Sequence, residues 1–280
     1  MRKVDIPDIS SKKLFKACAA KIQSQVYRRA LLARVSEVGE LTDGYVNAAE
    51  EKLLAKLSSV EEFWGVPKKT WNNLYKNHVA KIGAIGRGEY ELVKLALPHR
   101  LCPFCSVQPI RNVDHFLPES KFPQFSILPA NLVPTCRDCN FEKRADSPSK
   151  LADQLFHPYF ETVSGRWLAV EVHENNQPSV TYKVGAGASL KGVRLKRVQN
   201  QFRKLDLGLL YSGLAANELS SIAWSLSGVH EQGGGKAVRE QLRDVAKSAI
   251  ESEYPVEWKV ALYEGLSQSE WYYNGGFKFE

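Results

Sequence analysis

The sequence predicts an α+β protein, mostly helical, with a cysteine-stapled centre and a β-hairpin. Three observations predict it. Apolar residues recur at three- and four-residue intervals over 11–97 and again from Leu190 onward, the period of a helix face. Two Cys-x-x-Cys pairs bracket a proline-rich, aperiodic stretch between Leu101 and Ala145. One segment, GRWLAVEVHENNQPSVTYKVG at 165–185, alternates about a turn-forming ENNQP, as two paired strands do.

Taken in order, the N-terminal region (1–100) reads as helices. Its apolar runs are Leu14–Cys18–Ile22–Val26, Val46–Ala49–Leu53–Leu57 and Trp71–Leu74–Val79–Ile82. Pro67 and the glycines of IGAIGRG mark breaks, and Tyr90 to Leu97 makes a last short helix that Pro98 stops. The centre (101–160) suits metal knuckles, a short hairpin and loops, with one helix at its end. The C-terminal region (161–280) holds the hairpin, then helices over 193–202, 214–228, 236–252 and 256–267. No repeat or long linker separates these regions, so the centre reads as an insertion-sized module within a helical body.

The 280 residues are 44% hydrophobic and 25% charged, ordinary for a globular chain of one large domain or two smaller ones. No apolar stretch follows the N-terminal charges and no eighteen apolar residues run together. A soluble, cytoplasmic protein without membrane contact is expected. Lys plus Arg outnumber Asp plus Glu by 38 to 31, a net +7 compatible with a polyanionic partner.

Four of the five cysteines form the pairs Cys102/Cys105 and Cys136/Cys139. In a reducing compartment such pairs indicate metal, and thiolates at this spacing suit a tetrahedral structural Zn²⁺. The fifth, Cys18, shares an apolar helical face with Leu14, Phe15 and Ile22 and reads as a small buried thiol.

Between the pairs stands Val113-Asp114-His115-Phe116-Leu117-Pro118, and fifteen residues separate His115 from Asn131. Asn140 follows the last cysteine, and Lys143 lies one helical turn on. In this order the residues resemble the HNH family of His-Me finger (ββα-metal) endonucleases in its four-cysteine form, over roughly 101–145. The resemblance implies a zinc-bound ββα module and phosphodiester hydrolysis.

That chemistry requires an activated water and stabilised charge on the phosphate and the leaving 3′-oxygen. A neutral imidazole serves as general base, so His115 is the expected one. Asp114 and the Asn140 amide are the expected ligands of a catalytic Mg²⁺ or Mn²⁺. Both Asp114 and His115 can flank one phosphate only if their strand ends there. By resemblance, Asn131 orients the loop that carries the histidine. Relatives often have histidine where this chain has Asn140.

Lys143 is expected to contact a phosphate. His157, in LFHPYFE, is a structural histidine or a substrate or metal contact. His78, His99, His173 and His230 have no supporting neighbours. GGGK at 233–236 lacks the Ser/Thr and the preceding strand of a phosphate loop. The basic run from Lys191 to Lys204 is either a phosphate-tracking surface or a solvated helix face.

Beyond the motif, HFLPESKFPQFS, NLVPTCRDCN, FHPYFE and the ending WYYNGGF resemble HNH proteins of bacterial anti-phage defence, the nuclease component of Septu-type systems among them. That implies a nucleic-acid substrate, DNA before RNA, and an ATPase subunit as partner. The competing reading is a noncatalytic zinc-dependent nucleic-acid or protein adaptor.

Overall fold

The computed structural model describes residues 3–278 except 98, 146, 164, 186–189, 253 and 255. Pro98, the expected helix stop, therefore lies outside the described residues. The chain divides into two compact units, Met1–Val163 and Ser164–Glu280. Among the described residues helices dominate and the strands form three two-stranded sheets, the mostly helical α+β class that the sequence predicts.

The first unit opens with α1 (Ser11–Ala19), α2 (Gln25–Leu32) and α3 (Val38–Glu50). Ser10 and Ser24 cap the first two, each hydroxyl accepting from a backbone N–H three residues on. The apolar runs were traced too far. Helix α1 ends at Ala19, Val26 is 74% exposed on α2, and α3 buries Tyr45 and Ala49 while Val46 is only half-buried. A minimal hairpin of β1 (Glu62–Phe63) and β2 (Val66–Pro67), too short to show a period, precedes α4 (Lys68–Tyr75). Helix α4 widens into a π turn over Lys76–Ala80, and α5 (Arg87–Lys94) follows.

The centre then folds as β3 (Asn112–His115), β4 (Leu132–Thr135) and α6 (Arg137–Lys143). The strands pair antiparallel, with Asp114 opposite Val133 and His115 opposite Leu132. Val113 and Leu132 lie in the same apolar core as Leu14, Phe15, Trp71 and Leu74, so the helices and the hairpin share one interior. Pro134, opposite Val113, brings no N–H to the ladder. Helices supply the missing partners: the Tyr75 hydroxyl donates to the Val113 carbonyl (3.1 Å), and the Val113 N–H donates to Tyr90 (3.3 Å).

In the second unit β5 (Leu168–His173) and β6 (Ser179–Val184) form the predicted hairpin, followed by α7 (Gly192–Lys204), α8 (Leu207–Glu251) and α9 (Glu257–Gln268). The break expected before 214 is absent, because Leu207, Tyr211, Ala215 and Leu219 continue one buried stripe. The break expected between 228 and 236 is a kink at Gly234, whose φ of 64° suits glycine. Helix α9 packs on β5 at Gly265, where an added Cβ would overlap Val170.

Candidate active site and metal centre

The two Cys-x-x-Cys knuckles flank the β3–β4 hairpin in sequence and meet in space. All four sulfurs are buried and lie within 4.8 Å of one another. A tetrahedron of sulfurs about 2.3 Å from a central ion has edges of about 3.8 Å, and Cys105 Sγ lies 4.0 Å from Cys136 Sγ. Backbone N–H groups point at the sulfurs, from Gln108 to Cys105 (3.4 Å) and from Cys139 to Cys136 (3.3 Å). Burial pushes the Cys102 thiol up, but hydrogen bonds from Cys105, Cys136 and Cys139 outweigh it and hold it well below the usual thiol range. Geometry, burial and donor chemistry fit a tetrahedral metal ion such as zinc.

Strand β3 ends at His115, the condition for Asp114 and His115 to serve one phosphate. The His115 ring is 6% exposed, and Tyr75 packs against it edge-on at 4.3 Å. His115 Nε2 lies 2.7 Å from the Ser126 carbonyl. A carbonyl only accepts, so Nε2 carries the proton and Nδ1 keeps its lone pair. Burial lowers the His115 pKa below the ordinary imidazole value, while Glu119, the Ser126 carbonyl and Asp114 oppose it. The ring is thus held neutral with one basic nitrogen free.

Asp114 points to the other side of the strand. Its Oδ2 is buried and lies 2.9 Å from Lys143 Nζ, an ion pair without hydrogen-bond geometry. Lys143, at 3% exposure, also donates to the His115 carbonyl (2.6 Å). The expected phosphate contact would have to come from an ammonium that is buried and already engaged. Asn140, half-buried, lies three residues before Lys143 on α6, which puts both on one helix face. Among the described residues the cysteines are the only group of three or more His, Cys, Asp or Glu side chains placed to hold an ion.

Asn131 is fully buried and fully bonded. Its Oδ1 accepts from the Leu117 N–H (2.7 Å) and the Tyr45 hydroxyl (2.8 Å), and its Nδ2 donates to the carbonyls of Leu117 (3.0 Å) and Phe125 (3.1 Å). It thereby closes the 116–131 loop directly behind His115. His157 extends this chain. Its Nδ1 accepts from the Tyr159 N–H (3.2 Å), so Nε2 carries the proton and faces the Tyr45 oxygen at 3.2 Å. The ring is fully buried beside Phe116 and Phe160, and burial holds its pKa well below the ordinary value. Of the two sequence readings, this placement is the structural one.

The sequence did not single out Tyr45, Tyr75, Ser126 or Glu119. Tyr45 and Tyr75 carry no signal, since they come from helices outside the motif and act through one hydroxyl or one ring. Ser126 meets the His115 ring through its backbone carbonyl, which no side-chain type announces. Glu119 had a faint one, a carboxylate in the loop just after the Asp-His pair. Its Oε1 pairs with Lys76 (3.4 Å) and its Oε2 is buried without a hydrogen bond.

No family model matches the chain. The chain is similar to protein ea31 of Escherichia phage lambda, 25% identical over 219 residues, which are 72% of this chain and 73% of that protein. No solved structure matches. No described helix is long and apolar enough to cross a membrane.

Proposed function

We propose that this protein is an HNH-type endonuclease with a structural zinc at Cys102, Cys105, Cys136 and Cys139. The observation that carries the reading is His115: a buried, neutral imidazole at a strand end, its Nε2–H fixed on the Ser126 carbonyl, beside a carboxylate in a ββα element clamped by four cysteines. In the proposed reaction His115 Nδ1 takes a proton from water, the water oxygen bonds to phosphorus, and the phosphorus–O3′ bond breaks. Asp114 and Glu119 stabilise the imidazolium that forms. Asn131 positions the loop behind it. Asp114 and Asn140 are the residues to hold Mg²⁺ or Mn²⁺, which would neutralise charge on the phosphate and leaving oxygen. DNA as substrate, an ATPase subunit as partner and a role in anti-phage defence rest on the sequence resemblance.

The Lys143–Asp114 pair favours one other reading, a noncatalytic zinc-dependent adaptor, because the lysine already neutralises the one carboxylate expected to hold the divalent ion. Nicking of plasmid and of RNA with Mg²⁺ or Mn²⁺ decides between them. His115→Ala should cost about 100-fold or more in rate while keeping its zinc. The rate should climb with pH and level off below the ordinary imidazole range, because His115 titrates low. A folded, zinc-loaded His115→Ala that cuts as fast as wild type removes the mechanism.

A further inference from the structure

Helix α4 has two working faces. One bears Trp71 and Tyr75: the Trp71 carbonyl accepts from the Ser126 hydroxyl (3.1 Å), and Tyr75 packs on His115. The other bears Thr70 and Asn73, which with Asn77 of the following π turn line a cleft of about 550 Å³ walled on its far side by the turn after α1. Lys21 and Gln23 line it from that turn, His78 and Lys81 from beyond α4, and no carboxylate lines it. Lys21 and Lys81 are exposed, and neither forms an ion pair with a described residue. Burial and the Lys21 charge both lower the His78 pKa, which sets the two groups around one space. The cleft also meets the start of α2, whose first turn carries no acidic residue against its N–H groups.

Two unpaired ammonium groups among side-chain amides, with no acid to oppose them, suit phosphate oxygens and reject carboxylate-rich ligands. The volume exceeds that of one phosphate and suits a run of sugar-phosphate backbone. We propose that this cleft is a second nucleic-acid subsite, gripping phosphodiesters displaced along the strand from the one at His115. The nuclease reading supplies the identity of the polyanion. The cleft's own charge supplies its place.

The test separates the two. Binding is measured on the full-length, zinc-loaded His115→Ala protein with fluorescein-labelled DNA and RNA oligonucleotides, single-stranded and duplex, between about 50 and 200 mM salt. Adding Lys21→Ala and Lys81→Ala should weaken binding roughly tenfold and lower the log–log salt slope by about two on duplex DNA. The stronger arm identifies the nucleic acid. Unchanged affinity and slope, or no salt-dependent binding before the lysines are removed, overturns the subsite. Plasmid cutting by wild type is scored apart: its failure, with the lysine effect intact, overturns the nuclease reading and leaves the subsite standing.

Discussion

Residues 101–163 and the unit from Ser164 to Glu280 hold their chains by different means. The C-terminal unit uses length and apolar repetition: six-residue strands, a long kinked helix with a stripe of Leu207, Tyr211, Ala215 and Leu219, and a glycine that lets α9 approach β5. The 101–163 segment has four-residue strands and a seven-residue helix, too short for such stripes. It substitutes a sulfur cluster, a fully bonded asparagine, and buried His115, Lys143 and His157. Each unpaired buried polar group costs about 1–3 kcal/mol, so removing a partner from such an interior is costly. The difference teaches that the segment is built for placement of groups, where apolar packing alone would have been simpler.

The contrast breaks most sharply at the cysteines. Cys102→Ser should release the metal and cost the first unit more than about 4 kcal/mol, read as metal freed to a chromogenic chelator and a lowered unfolding midpoint. Asn131→Ala comes next. It strands the Leu117 N–H and the carbonyls of Leu117 and Phe125, for about 3–5 kcal/mol by denaturant unfolding. In the C-terminal unit, Gly265→Ala would press on Val170, an overpacking loss of about 1–3 kcal/mol. An Asn131→Ala loss no larger than this one would erase the distinction.

The smallest effect is in pH. Burial holds the folded-state pKa of His157 below its unfolded value of about 6.5. The unfolded chain then binds more protons as pH falls through that window. Stability from His157 is therefore complete above about pH 6.5 and is lost toward its folded-state pKa. His157→Gln should flatten that slope in unfolding midpoints taken at stepped pH, and an unchanged slope would place it elsewhere.

The same contrast governs what was legible in the sequence. The β5–β6 hairpin showed itself through alternation, the clustered cysteines through their Cys-x-x-Cys spacing, and Asp114, His115 and Asn131 through an order of residues that resembles a known motif. The inner break in α8 was visible at Gly233 to Gly235, although only Gly234 leaves helical geometry. Strands β1 and β2 were illegible because two residues carry no period. Tyr45 was illegible for another reason: its partners are 86 and 112 residues away, and a tyrosine in a helix reads as core. Lys143 was legible as a charge near the motif, but not its direction, since a helix face gives no sign of whether an ammonium turns to solvent or to an internal carboxylate.

The hydrogen-bond chain from His157 through Tyr45 to Asn131 sets a limit on transplantation. A peptide spanning only 101–145 would carry the four cysteines, Asp114, Asn140 and the proposed base, yet lack Tyr45, the one outside partner of the asparagine, and His157, which bonds to that tyrosine. Grafted into another scaffold, the motif would need a phenol and an imidazole supplied from outside it at matching distances. Without them the loop behind His115 would lose the support that fixes where its lone pair points.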